Sequence, residues 1–216
     1  MAIYAIGDLH LSFQVEKPMD VFGWEGYEER IRRNWTETVE EQDTVFLPGD
    51  FSWATYLPEA VEDFRFLNSL PGNKVLLKGN HDYWWETRKK MEGFLEEHGF
   101  SRIAFLHNNS VEVDGIRFCG TKGWDPEEAN GKIVNRETQR FLASLSEARE
   151  GEEILGVFHY PPYQCKEIMD LIREKGITEC LYGHVHGPGI GRTEQDGIRF
   201  IPVSCDVLGF LPLRIR

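Results

Sequence analysis

The chain has 216 residues, 41% of them hydrophobic, which is enough to bury a full core, so a single domain over residues 1–216 is expected. Its formal net charge of -12 argues against stable binding to a nucleic-acid backbone or an anionic membrane surface, because both require clustered Lys and Arg. An anionic substrate would need a local cationic centre instead.

The first residues, Met1 to Ile6, run directly into Asp8, with no basic leader and too short an apolar run for a signal peptide. No later stretch approaches membrane-spanning length. Cys119, Cys165, Cys180 and Cys205 stand apart without C-x-x-C spacing, which excludes a zinc knuckle or redox motif. Small buried thiols in a reducing cytoplasm are the expectation.

Short runs rich in Ile, Val, Leu and Phe alternate with segments of helical period, the pattern of an α/β layer architecture. The first strand is read at Ile3 to Gly7, followed by a helix from Tyr27 to about Val39 with Ile31 and Trp35 one turn apart. Thr44 to Pro48 reads as a strand. A helix begins near Pro58, with Val61, Phe64 and Leu67 on one face, and Pro71-Gly72 turns the chain into the strand Lys74 to Lys78. Trp85 to Glu97 reads as a helix closed by Gly99, and Arg102 to Leu106 as a strand. Asp114-Gly115, between the arms Val111–Val113 and Ile116–Phe118, predicts a type I′ hairpin and hence a mixed sheet. Val134, Thr138, Phe141, Leu142 and Leu145 share a helical face. The strand Ile154 to Phe158, a helix from Cys165 to Lys175 and the strand Glu179 to Tyr182 follow. Ile198 to Val203 and Val207 to Ile215 are expected to be closing antiparallel strands around a polar corner at Ser204 to Asp206.

Chemistry is signalled by where polar residues sit. Asp8, Asp50, Asn80, His159 and His184 each come directly after, or one Gly after, a separate apolar strand. Residues beyond the carboxyl ends of strands in an α/β sheet converge in space. A lone Asp or His at such a place is usually a turn residue or a satisfied core group; five together are not. His10 and His186 lie two residues beyond Asp8 and His184, so each pair can serve adjacent ions. Glycines at 7, 49, 79 and 183 precede four of these residues and permit a tight bend. Carboxylate, amide oxygen and imidazole suit first-row divalent cations, with Mn or Fe expected first and Zn, Ni or Co also compatible. A structural zinc site is disfavoured because no Cys joins the set.

The blocks Gly7-Asp8-Leu9-His10, Gly49-Asp50, Gly79-Asn80-His81-Asp82, His159 and Gly183-His184-Val185-His186 resemble the calcineurin-like metallophosphoesterase superfamily over nearly the whole chain. The resemblance implies the metallo-dependent phosphatase fold, a four-layer α/β/β/α sandwich with two mixed β-sheets flanked by helices. It further implies one ion held by Asp8, His10 and His186, another by Asn80, His159 and His184, and Asp50 between them. The implied reaction is hydrolysis of phosphate esters by a hydroxide bridging two divalent ions, without a phosphorylated enzyme. One departure stands out: the second block often continues as Gly-Asp-x-x-Asp-Arg, but here it reads Gly49-Asp50-Phe51-Ser52-Trp53-Ala54, so one possible phosphate contact is absent.

His81 is the candidate acid for the leaving oxygen, and Asp82 the group expected to orient its imidazole; capping of the next helix is the plainer role for both. Trp53, Trp84, Trp85 and Tyr163 could wall the site, although packing beneath the loops is more usual for large aromatics. Lys122, Trp124 and Arg136 could reach a phosphate without any spacing that demands it, and His98 and His107 read as structural. No long insertion reads as a lid. The expected substrate is small and phosphorylated, a nucleotide among the options, and a phosphodiester is favoured over a phosphomonoester or a nucleotide pyrophosphate. A non-catalytic metal-binding scaffold is the competing reading, and it would be expected to show eroded ligands.

Overall fold

The computed structural model describes residues 1–216. In chain order the elements are β1 (Ile3–Ala5), α1 (Tyr27–Thr38), β2 (Thr44–Leu47), α2 (Val61–Ser69), β3 (Asn73–Leu76), α3 (Arg88–His98), β4 (Ile103–Phe105), β5 (Ser110–Val113), β6 (Ile116–Thr121), α4 (Gly131–Leu145), β7 (Glu153–Phe158), α5 (Lys166–Glu174), β8 (Glu179–Tyr182), β9 (Thr193–Gln195), β10 (Ile198–Pro202) and β11 (Leu213–Arg214). They form a five-stranded sheet ordered β11-β1-β2-β3-β4 and a six-stranded sheet ordered β5-β6-β7-β8-β10-β9. Both are mixed: β1 to β4 run parallel with β11 antiparallel, and β6, β7, β8 and β10 run parallel with β5 and β9 antiparallel.

The period-2 alternation of the strands sets the layers. Tyr4, Val45, Leu47 and Leu76 pack outward with Ile31 and Trp35 of α1, Phe64 and Leu67 of α2 and Phe94 of α3. The alternate residues Ile3, Ala5, Phe46 and Val75 face the second sheet, where Phe118, Leu155, Val157, Leu181 and Ile201 meet them. Phe46 and Phe118 stack across that interface with centroids 3.9 Å apart. On its far side the second sheet places Cys119, Phe158, Cys180, Tyr182 and Phe200 beneath Phe141 of α4 and Ile168 and Ile172 of α5. The result is the four-layer α/β/β/α sandwich. No helix is long and apolar enough to cross a membrane, and all four cysteines are free and buried.

The Asp114-Gly115 hairpin forms as read, with both residues at positive φ, 53° and 80°, as a type I′ turn requires. The closing strands differ from expectation. β10 pairs with β8 and β9, whereas Val207–Phe210 is turn and, of the rest, only β11 is strand, in the other sheet against β1. The polar corner is the reason: Gly7 N–H donates to Val203 O at 2.7 Å and Cys205 N–H donates to Gly7 O at 3.0 Å. The chain is thereby handed from one sheet to the other instead of folding back on itself. β9, wholly exposed and without an apolar pattern, was not legible, although Asp196-Gly197, with φ of 54° and 74°, repeats the hairpin signal.

Candidate metal centre

Five parallel strands drawn from both sheets end at one edge. Asp8, Asp50 and Asn80 follow β1, β2 and β3 of the first sheet, and His159 and His184 follow β7 and β8 of the second. The loops after β1 and β2 run side by side, with Asp8 N–H donating to Gly49 O at 2.9 Å and His10 N–H donating to Asp50 O at 3.0 Å. Four of the candidate ligands carry left-handed backbone, Asp8 (φ 54°), His10 (47°), Asp50 (50°) and His184 (69°). For residues with a Cβ this costs about 1–3 kcal/mol each and persists where the surroundings impose it. Two glycines are needed for close approach, not for bending: a Cβ on Gly79 would lie 2.0 Å from Asp50 Oδ1, and one on Gly183 would lie 2.5 Å from Asp8 Oδ2.

All seven sequence-predicted ligands come together. His10 Nε2 is 3.9 Å and His159 Nε2 is 3.5 Å from the same Asp50 oxygen, so Asp50 faces both halves of the cluster. His186 Nε2 is 3.9 Å from Asp8 Oδ1. Asn80 Oδ1 lies 2.6 Å from His159 Nε2 and 3.0 Å from His184 Nδ1. Asp8, His10 and His186 form one group whose ligand atoms could share an ion; Asp8, Asp50 and His159 form a second. Separations of 3.5–3.9 Å exceed hydrogen-bonding range. They match the roughly 3 to 4 Å expected between ligands bound about 2.1 Å from a common cation.

The electrostatics favour positive charge in the middle. Burial, reinforced by Asp50, raises the Asp8 carboxyl well above its usual range, and burial raises Asp50 as well. Burial and then the neighbouring imidazoles push His10 well below its ordinary pKa, and burial brings His159 down to about 3 and His184 to about 4. These three rings are therefore neutral and keep a lone pair for a metal. For His186, burial pulls downward but the hydrogen bond to Asp206 and the charge of Asp8 outweigh it, leaving its pKa raised.

Hydrogen bonding shows that the residues fit a cation. His159 Nδ1 lies 2.9 Å from Pro48 O, an acceptor, so the proton sits on Nδ1 and Nε2 presents its lone pair. That lone pair faces the Asn80 side-chain amide 2.6 Å away, where turning the amide over would present its NH₂ as the donor in the metal-free protein. Asp8 Oδ2 and His10 Nδ1, both buried, have no partner in the protein. Such orphans are rare unless an ion or water completes them.

Several expectations are corrected. Asp82 does not orient His81. Its Oδ2 accepts from Asp50 N–H (2.9 Å) and Gly79 N–H (2.7 Å), and its Oδ1 accepts from Phe51 N–H (2.9 Å), Ser52 N–H (3.3 Å) and Trp84 Nε1 (3.1 Å). This buried carboxylate ties the Asp50 loop to the Asn80 loop. His81 Nδ1 is without a partner, and its ring rests 4.5 Å from Trp53 instead. Neither residue caps α3, whose N-cap is Thr87.

Of the four loop aromatics, only Trp53 borders the site, stacked on His10 at 4.8 Å. Trp84 and Trp85 are core, and Tyr163 packs on Tyr182 and Phe200. Trp124 is buried and Arg136 is paired with Glu137. Sequence reasoning missed Asp206, whose carboxylate holds His186 Nδ1 (2.9 Å) and Gly187 N–H (2.8 Å), leaving His186 Nε2 free. It also missed the segment between β1 and α1, whose Met19, Phe22 and Trp24 line a cavity of about 410 Å³ together with Trp53, His10, His81 and His186. The cluster of Met, Phe and Trp between two polar stretches was the available signal.

The calcineurin-like phosphoesterase family model matches residues 1–188. Comparison with curated proteins finds no significant match. Among solved structures the chain is similar to the protein of unknown function AQ665 from Aquifex aeolicus, at 20% identity and TM-score 0.55, covering 99% of this chain and 95% of that one. It is similar to the phosphopantetheinyl hydrolase PptH from Mycobacterium tuberculosis, at 15% identity and TM-score 0.61, over 99% and 95% of the two chains. It is also similar to TT1561 of Thermus thermophilus, at 15% identity and TM-score 0.62, over 99% and 97%. At these identities the likeness is one of fold.

The role found for Asp82 is open to direct measurement. Asp82→Asn turns one carboxylate oxygen into an NH₂ group facing N–H donors, and should lower stability by about 3 kcal/mol. Calorimetry of the metal-free protein should show Tm falling by about 6–12 °C. An unchanged Tm would mean the carboxylate does not hold the two loops together.

Proposed function

Because the chain belongs to the calcineurin-like phosphoesterase family, we propose that it hydrolyses phosphate esters at a centre of two divalent ions held by Asp8, His10, Asp50, Asn80, His159, His184 and His186. The observation that carries this reading is the meeting of all seven side chains at one edge of the sandwich, where the buried Asp8 Oδ2 and His10 Nδ1 have no partner in the protein. The ions, Mn or Fe first among the metals such a ligand set suits, would polarise a phosphoryl oxygen and lower the pKa of a shared water.

The protein's own residues do the rest. Asp206 and Pro48 O fix the proton positions of His186 and His159, so that each presents Nε2 to the centre. Asp82 holds the Asp50 and Asn80 loops in register. His81, placed against Trp53 and beside the cavity, gives its proton to the departing ester oxygen. A diester is favoured over a monoester because no Lys or Arg lines the cavity beside His10, His81 and His186. A dianionic terminal phosphate would find no lysine or arginine in that lining, whereas a diester carries a single charge.

Metal-stripped protein should turn over no substrate, and reloading with Mn, Fe, Zn, Ni or Co should restore hydrolysis, faster on a bis-aryl phosphodiester than on an aryl monophosphate or a nucleotide. Absence of turnover with every ion would favour a non-catalytic scaffold. His81→Ala should keep its metal while kcat drops about 10²–10⁴-fold; full turnover with bound metal would remove His81 from the reaction.

A further inference from the structure

The cavity beside the candidate centre has two unlike walls. One carries His10, His81 and His186; the other carries Met19, Phe22, Trp24 and Trp53. Trp53 is fixed by its stack on His10 and by Nε1, which lies 3.3 Å from Met19 Sδ. Trp24 also borders the imidazoles, with its ring centroid 6.1 Å from that of His10 and 5.7 Å from that of His186. At the mouth, the short 3₁₀ turn Met19–Phe22 leaves Val21 76% and Phe22 69% exposed. Large apolar side chains held in water beside a polar centre mark a surface built to be covered.

What covers it is limited by the polar inventory. The only carboxylate on the lining, Asp206, is committed to His186 and Gly187, and no Lys or Arg is present. A sugar would find few free hydrogen-bonding partners, and the lysine nearest this wall, Lys17, sits over the Trp53 ring, 5.8 Å from its centroid, outside the lining. The half-buried cations Lys78, Lys122 and Arg140 border a separate small recess with Glu137. A flat apolar group suits the two indoles.

We propose that this cavity receives the leaving group of the ester, and that this group is an aryl or fused aromatic ring system. The proposal rests on the phosphoesterase reading. In the reaction, a water oxygen gives up one proton to solvent and bonds to phosphorus as the bond from phosphorus to the ester oxygen breaks, and solvent afterwards returns a proton to His81. The ester oxygen takes a proton from His81 and departs as the aromatic alcohol, with its ring between the cavity walls.

The test uses the full chain reloaded with manganese and two inert phosphonates, 1-naphthylmethylphosphonate and methylphosphonate, with affinities measured by calorimetry. The naphthyl compound should bind at least about ten-fold more tightly, as expected for burying its rings, and should quench indole fluorescence. Phe22→Ser, at an exposed position that folding does not depend on, and Met19→Ala should each reduce that ratio. Equal binding of the two phosphonates, or a ratio unchanged in both variants, overturns the aromatic subsite while the phosphoesterase reading stands. Binding of neither compound, together with absence of turnover on every ester, overturns both.

Discussion

Asp8 and Asp50 lie almost entirely out of water, and neither forms an ion pair with a Lys or Arg. Taking a carboxylate out of water costs several kcal/mol, which the single backbone N–H each accepts, from His184 to Asp8 and from His81 to Asp50, offsets only in part, and these two also repel each other across the cluster. Among their neighbours, the charge of His186 relieves this in part. His10, His159 and His184 are kept neutral by burial, and the backbone at Asp8, His10, Asp50 and His184 is left-handed. A fold that accumulates this much unfavourable electrostatics and strain in one place is organised around more positive charge than its own side chains supply there.

The surrounding structure holds that arrangement. Asp82 gathers five donors from the loops after β2 and β3. Pro48 O and Asp206 set the two imidazoles. The hydrogen bonds of Gly7 with Val203 and Cys205 tie the end of β1 to the end of β10, so that ligands from different sheets keep a fixed separation. Gly79 and Gly183 allow backbone to pass where any side chain would strike Asp50 or Asp8. The acidity of the chain is compatible with an anionic substrate on these terms, since the local field at the centre, not the net charge of -12, meets the phosphate.

Much of this was legible in the sequence because the two sheets face each other and bury one face while helices bury the other. Strands such as Thr44–Leu47 and Glu179–Tyr182 therefore read as short continuous apolar runs, and the residue just past each run marks the functional edge. What escaped has physical causes. β9 buries nothing, so no hydropathy pattern announces it. Val207–Ile215 is apolar enough for a strand, but the corner pinned to Gly7 turns it away from β10. Adjacency misled at His81 and Asp82, since neighbours in a loop need not share partners: one side chain turns to Trp53 and the other into the backbone of the Asp50 loop. Asp206 gave no signal because its partner, His186, is 20 residues away. Trp53, Trp84 and Trp85 are chemically alike in sequence, and only the packing of α2 and α3 over the latter two separates core from site.

The central claim is that these side chains jointly cage a pair of cations. Its most direct test is elemental analysis of protein reconstituted with excess manganese and freed of unbound metal. The account predicts two ions per chain, with loss of binding when Asp50, which faces both halves of the cluster, is replaced by Ala. A fully loaded protein holding one ion or none, or an Asp50→Ala chain that still holds two, would contradict it.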